Sequence, residues 1–396
     1  MLNLISYCRS GVLGERKWRC GDCGHAEVMP QSCGNRHCPT CLGPRQRIWS
    51  EQVCKRLPAV EHFHVVFTLP GELRALSQLN PREVLGVLFA AVAECLKVFM
   101  ADKWQSQGGF LAVLHTWGQL LQWHPHLHVL VSAGGLDSVS HRWRDQRGDY
   151  LFDVHALNQV YRAIFLRRLR VLEEELSWPW DLQDKGAREA WWTDLSRRNW
   201  NVYSAATLGH TQEVVRYLAA YTSRVAIAPQ RICGRDQEAG TVSFHYRDRR
   251  ADGEQKVKTL KEAEFVRRFA QHILPKGFQR IRYYGFLHPA RYESIRERLP
   301  QGGPEEDPRT LQPVCPRCGS ANWTSCARHD KVLDHVRAPD RTHLGGPEVG
   351  RRSKPMGRSV SLLRDRSPPS VQQPGCCRPR SPRLDVSIVA SSAAEH

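Results

Sequence analysis

The chain has 396 residues, which gives room for two or three domains with an ample core. Its net charge of +17 indicates a polyanionic partner, most simply a nucleic acid, with an anionic membrane surface as the alternative. Residues 1–14 lack the pattern of a signal peptide and the apolar run Val87–Ala93 is too short to cross a bilayer, so we expect a soluble, cytoplasmic protein.

Residues 1–56 are rich in cysteine and predict a small zinc-binding module. Its interleaved arginine and lysine residues indicate contact with DNA phosphates, with a solvated basic face as the equal alternative. Two C-x-x-C pairs, Cys20–Cys23 and Cys38–Cys41, stand on either side of residues 24–37. In a cytosolic protein this spacing favours one structural zinc ion held by these four cysteines over disulfides. Further candidate ligands in the same segment leave open a second ion: Cys8, His25, Cys33 and His37.

The pattern between residues 57 and 176 predicts a strand, a helix, a hairpin and a second helix. The strand covers His62–Pro70, and Pro81 opens a helix that runs to about Met100. The hairpin covers 110–133, and Gly134 and Gly135 are expected to end it. The second helix covers 155–176.

Three histidines of the predicted hairpin are expected on one face of the sheet. His126 and His128 alternate with apolar residues, so their side chains point to the same side of one strand. In a simple antiparallel register His115 falls opposite His126, with Cβ atoms roughly 5 Å apart. The three imidazoles predict a metal site, while hydrogen-bonded core histidines are the plainer alternative. His64 is the substitute ligand if the register differs.

The stretch 178–200 is rich in tryptophan, whose rings either pack in the core or stack on bases. A helix is predicted over 213–224, with Tyr217 and Tyr221 at i and i+4, so both hydroxyls project from one helix face. Further elements are predicted as strands over 225–228, 241–246 and 280–287 and a helix over 262–273.

The last part of the chain carries a third cysteine pair and then a segment without periodicity. Cys315 and Cys318 form another C-x-x-C pair, which Cys326 and His329 are candidates to complete. From residue 330 onward Arg, Pro, Ser and Gly dominate, which predicts a disordered, basic tail.

The histidines and the tyrosines together predict phosphoryl transfer. A tyrosine hydroxyl has a reference pKa of about 10 and needs activation to attack phosphorus. A divalent cation held by three neutral imidazoles would polarise the scissile phosphate. Attack would give a phosphotyrosine link and a free 3′ hydroxyl, and two tyrosines would permit two successive cleavages at one metal.

At these residues the sequence resembles a known family. His126-Leu-His128 resembles the histidine–hydrophobe–histidine motif of HUH endonucleases, and Tyr217-Leu-Ala-Ala-Tyr221 resembles their two-tyrosine motif. Other stretches are similar to the rolling-circle insertion-sequence transposases that have an N-terminal transposase zinc-binding domain: Ser32–Cys41, His64–Pro70, His115–Gln119 and Arg280–Gly285.

The resemblance implies an α+β fold, in which a small zinc-binding module precedes an HUH endonuclease domain with a central antiparallel sheet flanked by helices. It implies a transposase that nicks and rejoins single-stranded DNA at element ends and targets through a 5′-phosphotyrosine intermediate. The cofactors it implies are Mg²⁺ or Mn²⁺ at His115, His126 and His128, and Zn²⁺ in the N-terminal module. The expected division is a zinc-binding module over 1–56, a nuclease domain over 57–292, a linker with a third knuckle over 293–329 and a tail over 330–396.

Three other functions fit part of the sequence. His124, His126 and His128 also match the H-x-H-x-H pattern of histidine-triad nucleotide hydrolases. A plasmid relaxase or replication initiator would share the phosphotyrosine chemistry, and a zinc-knuckle DNA-binding regulator would need no catalysis. Nicking of a single-stranded oligonucleotide with and without Mn²⁺ distinguishes the enzyme from the regulator.

Overall fold

The computed structural model describes residues 5–146, 151–206, 226–248, 251–301 and 314–329. Contacts divide the chain into two compact units. One contains the described residues within 1–44 and 307–380, and the other contains those within 45–306. Every strand pairing in the described residues is antiparallel, and helices accompany the sheets, so the predicted mixture of helices and antiparallel sheet is confirmed.

The strands, in chain order, are β1 (Glu15–Cys20), β2 (Ala26–Pro30), β3 (His62–Thr68), β4 (Ser106–Trp117), β5 (Trp123–Asp137), β6 (Trp143–Asp145), β7 (Val202–Ala206), β8 (Ile232–Asp236), β9 (Thr241–Asp248), β10 (Glu254–Lys261), β11 (Ile281–Tyr284) and β12 (Trp323–His329). The α-helices are α1 (Pro39–Cys54), α2 (Arg74–Leu79), α3 (Pro81–Trp104), α4 (Val154–Val171), α5 (Lys185–Arg197), α6 (Glu262–Ala270) and α7 (Pro289–Ile295). Short 3₁₀ turns cover Gly71–Leu73, Glu173–Glu175, Trp180–Leu182, Pro229–Arg231, Gly285–Leu287 and Arg296–Arg298.

The first unit contains a three-stranded sheet in the order β12–β1–β2. Strand β1 pairs with β2 in a hairpin and with β12 on its other edge, where Cys20 lies opposite Trp323. The sequence analysis placed β12 in a linker over 293–329. That expectation is corrected, because the backbone of residues 323–329 completes the sheet of the N-terminal module.

The second unit is built on a six-stranded sheet in the order β11–β4–β5–β3–β7, with β6 paired to β5. Its central hairpin, β4 and β5, is longer than predicted, because Gly134 and Gly135 do not end the second strand. At Gly134, with φ +146°, a Cβ atom would lie 2.5 Å from the backbone oxygen of Arg144. Glycine is therefore required for the close approach of β6, where Gly134 pairs with Asp145.

One face of this sheet packs against α3 and α4. Helix α3 begins with Pro81 in its first turn, as predicted, and α4 begins after Asp153, whose carboxylate accepts a hydrogen bond from the Ala156 N–H. The sheet side chains on this face include Phe67, Leu127 and the others that alternate with them in β3, β4 and β5. Helix α3 is long and apolar enough to span a membrane, but most of its apolar side chains are buried in this core.

The other sheet face is covered by a second, smaller core. Leu111, Val113 and Leu130 point to this side and pack with Val53 and Phe286. Because side chains alternate across a strand, this face also receives the histidines of β3, β4 and β5. The sequence predicted one buried face for the hairpin, whereas the structure buries both.

A third sheet, β10–β9–β8, lies within the second unit together with α6. The predicted strand over 241–246 is confirmed as β9, while the strand predicted over 280–287 is shortened to β11 by the 3₁₀ turn that follows. Residues 226–228 are not a strand, because Ala226 has φ 61° and breaks the extended backbone. The predicted helix over 213–224 and tail over 330–396 lie outside the described residues.

Candidate active site

The hairpin register brings His115, His126 and His128 together. His115 pairs directly with His126 across β4 and β5, as the sequence predicted. One ring nitrogen from each histidine lies within 4.8 Å of the others. The ring centroids are 4.3 Å apart for His115 and His128 and 5.0 Å apart for His126 and His128. This arrangement presents three nitrogen donors to one small volume.

The tautomer of His126 follows from its backbone contact. Its Nδ1 lies 2.7 Å from the carbonyl oxygen of His124. A carbonyl oxygen only accepts, so Nδ1 carries the hydrogen and Nε2 keeps its lone pair. A metal-binding histidine usually donates its second ring N–H to such an acceptor, which orients the ring.

His64 on β3 contacts the same group through His128. The planes of the two rings are parallel to within 3° and the rings face each other edge to edge, with His64 Nε2 2.9 Å from His128 Nδ1. Burial lowers the pKa of His64 to about 4, so this imidazole is neutral near pH 7. If His128 Nδ1–H is the donor in this hydrogen bond, His128 Nε2 keeps its lone pair and is available as a metal ligand.

The tip of the β4–β5 hairpin, beside His115, is held by side chains from the 3₁₀ turn before β8, from α6 and from the two residues after α6. Each donates to a backbone carbonyl of the tip, which fixes the two strand ends that carry His115 and His126. The contacts are Arg231 to Gln119 at 2.6 Å, Arg268 to Leu120 at 2.9 Å, Gln271 to Leu121 at 2.7 Å and His272 to Leu121 at 3.1 Å.

Burial of His272 gives this support a fixed protonation state. Its Nε2–H donates to the Leu121 carbonyl, so Nδ1 accepts from the hydroxyl of Thr116, 3.1 Å away. Burial lowers the pKa of His272 to about 4, which keeps the ring neutral. The sequence analysis missed His272 because no spacing connects it with residues 115–128.

The tyrosines of the predicted site, Tyr217 and Tyr221, lie outside the described residues.

The cysteines of the first unit form two groups of four. Cys8, Cys33, Cys38 and Cys41 form one group, and Cys20, Cys23, Cys315 and Cys318 form the other. The predicted site of Cys20, Cys23, Cys38 and Cys41 is thus corrected, because its two pairs lie in different groups. The cause is the pairing of β1 with β12, which brings the third pair to the end of β1 at Cys20. All eight are free cysteines in this structure.

The histidines proposed as extra zinc ligands belong to neither cysteine group. His25 Nε2 lies 3.6 Å from a carboxylate oxygen of Glu27, and His37 is buried. The side chains of Cys326 and His329, the candidates to complete the third pair, lie outside the described part of the structure. The third pair, Cys315 and Cys318, is completed instead by Cys20 and Cys23.

Comparison with known proteins identifies the family. The family described as "Putative transposase" matches residues 109–294, and the "Transposase zinc-binding domain" matches residues 1–69. The chain is 38% identical to "Putative transposase y4qJ" of Sinorhizobium fredii over 72% of this chain and 73% of the relative. The chain belongs to the IS91/IS801 family of transposases.

A second relative of this transposase is the "Transposase for insertion sequence element IS801" of Pseudomonas savastanoi pv. phaseolicola, which is 31% identical over 75% of this chain and 74% of the relative. No solved structure matches the chain. Membership of the family means an enzyme that binds and cleaves DNA, and it replaces the nucleotide hydrolase and the non-enzymatic regulator as interpretations.

The tryptophans of residues 178–200 mostly belong to the core of this transposase. Trp192 and Trp200 are buried, while Trp178 and Trp191 are half-buried against the same core. Trp180 is the exception, with 88% of its surface exposed. Core packing therefore accounts for these rings better than base stacking, apart from Trp180.

Proposed function

We propose that this transposase nicks and rejoins single-stranded DNA by HUH endonuclease chemistry, through a 5′-phosphotyrosine link, and moves an insertion sequence by a rolling-circle-like mechanism. The observation that carries the proposal is the convergence of His115, His126 and His128 on one face of an antiparallel sheet. The family membership and the motif of Tyr217 and Tyr221, which lies inside the matched residues 109–294, support it.

The three imidazoles fit a divalent cation. His126 has its Nε2 lone pair directed away from its backbone contact, and the nitrogens of the group lie close enough to share one ion. Imidazole nitrogen suits Mn²⁺ better than Mg²⁺, which prefers oxygen ligands. We expect Mn²⁺ to support the reaction at lower concentration than Mg²⁺. When bound, the ion would polarise the scissile phosphate and stabilise the negative charge that develops on it.

The covalent step exchanges one phosphodiester for another. The hydroxyl oxygen of Tyr217 or Tyr221 forms a bond to the phosphorus, and the bond from that phosphorus to the 3′ oxygen breaks. The tyrosine proton leaves to solvent or a base, and the departing 3′ oxygen takes up a proton. Because one ester replaces another, attack by a 3′ hydroxyl reverses the step without ATP.

On the helix that the sequence predicts over 213–224, Tyr217 and Tyr221 would each carry out one step of strand transfer. The first accepts the 5′ end of one cleaved strand, and the second is then free to cleave a second strand at the same cation. This requires only a small shift of DNA or helix, because side chains at i and i+4 are neighbours.

Single-stranded DNA at element ends and targets is the proposed substrate. The net charge of +17 supplies the attraction to phosphate, and we place part of the DNA contact in the N-terminal zinc-binding domain. In that domain Cys8, Cys33, Cys38 and Cys41 would hold one structural Zn²⁺, since these four sulfurs form one group.

The test is to trap a covalent adduct with a single-stranded oligonucleotide in the presence of Mn²⁺ and to locate it by mass spectrometry. We expect the DNA on Tyr217, Tyr221 or both, and no adduct in a Tyr217→Phe, Tyr221→Phe double variant. Phe keeps the aromatic ring and removes only the hydroxyl that acts as the nucleophile. Tyr246→Phe, in β9, is the matched control and should form the adduct normally. An adduct on any other residue, or a full adduct in the double variant, would rule the proposal out.

A further inference from the structure

The second cysteine group joins two parts of the chain that are far apart in sequence. Cys20 is the last residue of β1 and Cys23 follows that strand, whereas Cys315 and Cys318 precede β12. The matched zinc-binding domain ends at residue 69 and the other match ends at residue 294, so neither match covers the second pair.

The two pairs have the same local structure. In each, the glycine after the second cysteine has a positive φ, +70° at Gly24 and +74° at Gly319. Its N–H donates to the carbonyl of the first cysteine, at 3.0 Å for Gly24 to Cys20 and 2.8 Å for Gly319 to Cys315. In each knuckle the N–H of the first cysteine also donates a 2.7 Å hydrogen bond that closes the turn. The acceptor is the carbonyl oxygen of His25 for Cys20 and that of Ser320 for Cys315. Such a turn needs glycine and directs both sulfurs to the same side.

Polar contacts dock one knuckle on the other. The Gly21 N–H donates to the Asn322 carbonyl at 2.8 Å, and the side-chain amide of Asn322 donates to the Asp22 carboxylate at 2.9 Å. A side chain at Gly21 would collide with the Asn322 side chain in its present position, because a Cβ atom there would lie 2.5 Å from the Asn322 amide nitrogen. The two knuckles are therefore fitted to each other beyond the sulfurs themselves.

The sulfur positions suit a tetrahedral ion. Cys20 and Cys318 have their sulfurs 3.6 Å apart, and so do Cys23 and Cys315. Four sulfurs at the Zn–S distance of about 2.3 Å from one centre would be about 3.8 Å apart in a regular tetrahedron. A disulfide would bring two sulfurs to about 2 Å. The spacing is that of a metal site.

We infer that Cys20, Cys23, Cys315 and Cys318 bind a second structural zinc ion, which clamps the segment 314–329 to the N-terminal zinc-binding domain. The ion would close a loop of nearly 300 residues, since the paired cysteines are separated by 292 and 298 positions. The metal would supply much of the free energy that keeps β12 on β1, because a structural zinc site and its fold form together.

The experiment measures zinc per chain and maps the thiols that react with a maleimide, in the full-length protein. A Cys315→Ser, Cys318→Ser variant should lose one zinc per chain and expose Cys20 and Cys23 to the reagent, while Cys38 and Cys41 stay protected. The reciprocal Cys20→Ser, Cys23→Ser variant should expose Cys315 and Cys318. Cys233→Ser, an exposed cysteine of β8 outside both groups, is the control and should keep the wild-type zinc content.

A Cys318→His variant guards against a result due to unfolding alone. Cys318 is exposed, so histidine has room there, and three cysteines with one histidine still bind zinc. We expect Cys318→His to retain the second zinc and the protection of Cys20 and Cys23. Unchanged zinc in the double serine variant would overturn the inference. A loss of all zinc in the double serine variant, together with the same loss in Cys318→His, would also overturn the inference.

Discussion

We propose that the histidine group and the second cysteine group each bind a metal ion, but the chain assembles them differently. His115 and His128 lie on the two strands of one hairpin, so local pairing alone brings them together. Cys20 and Cys318 meet only because β12 returns from the far end of the described chain to pair with β1. A local hairpin fixes its register through the alternation of its side chains, whereas a distant strand depends on tertiary structure.

The two groups also differ in what holds them in place. The histidines stand on a sheet that is buried on both faces and supported at its tip by Arg231, Arg268 and His272. This scaffold does not need the metal. The cysteines stand on short turns beside a three-stranded sheet, and neither of the two apolar core clusters found in the described residues includes a residue of this unit. The ion itself is therefore expected to supply the stability.

The largest expected effect is on nicking, and it tests whether the histidine group acts independently of the cysteine groups. In a His126→Ala, His128→Ala variant we expect nicking to fall by about 10³-fold or more, because the cation that stabilises the developing charge is lost. Zinc content, measured on the same sample, should not change. Nicking at the wild-type rate would remove the histidines from the mechanism, and a loss of zinc would mean that the two groups are not independent.

The second prediction concerns acid and the support of the hairpin. The pKa of His272 is about 4 in the folded chain and about 6.5 in an unfolded one, so the unfolded state binds more protons below pH 6.5. The stabilisation that neutral His272 retains above pH 6.5 is therefore lost as the pH falls toward 4, with a limit of about 3 kcal/mol. Thermal unfolding of wild type and His272→Gln between pH 5 and 7.5 tests this.

The result depends on how the thermal stability of wild type and that of His272→Gln each change with pH. Wild type should lose stability steeply below pH 6.5, while His272→Gln, which has no ring to protonate, should show a shallower slope over the same range. Parallel curves would show that His272 does not titrate with folding.

The third prediction concerns His64. If His64 orients His128 through the 2.9 Å contact of their ring nitrogens, His64→Ala should raise the Mn²⁺ concentration needed for half-maximal nicking by about 10- to 100-fold. The rate at saturating Mn²⁺ should fall less. A variant whose nicking is abolished at every Mn²⁺ concentration would instead make His64 a ligand.

The smallest effect concerns backbone space beside the hairpin. Gly134→Ala places a Cβ atom 2.5 Å from the Arg144 backbone oxygen, so we expect a loss of about 1–3 kcal/mol from the free energy of unfolding. Gly86→Ala, in α3 with open space around it, is the matched control and should gain up to about 1 kcal/mol. Equal effects at the two positions, measured by urea unfolding, would contradict the reason given for Gly134.

The sequence was most informative where burial produced a clear period. The strand predicted over His62–Pro70 follows from its β-branched and aromatic residues, the start of α3 from Pro81, and the register of His115 opposite His126 from a simple hairpin between two alternating strands. Strand β8 was missed because all five of its residues are exposed, which leaves no period to detect. The cysteines were wrongly grouped because spacing within the first 56 residues cannot reveal a partner at Cys315.

The sequence around the third cysteine pair resembles that around the first. Cys315-Pro-Arg-Cys318-Gly319 repeats the form of Cys20-Gly-Asp-Cys23-Gly24, with a glycine directly after the second cysteine. The structure shows that this glycine closes the same turn in both places. The matching turns favour Cys315 and Cys318 over Cys38 and Cys41 as the cysteines that share one tetrahedral ion with Cys20 and Cys23.

The distance between Cys23 and Cys315 along the chain has a consequence during synthesis. A ribosome that adds about 5–20 residues per second needs on the order of 15–60 s to translate the 292 positions between them. Cys8, Cys33, Cys38 and Cys41 all emerge early and can load their ion at once, whereas Cys20 and Cys23 must wait as open thiols. The order of translation thus sets the order in which the two zinc ions bind. Oxidation of the Cys20 and Cys23 thiols during that interval would prevent binding of the second ion alone.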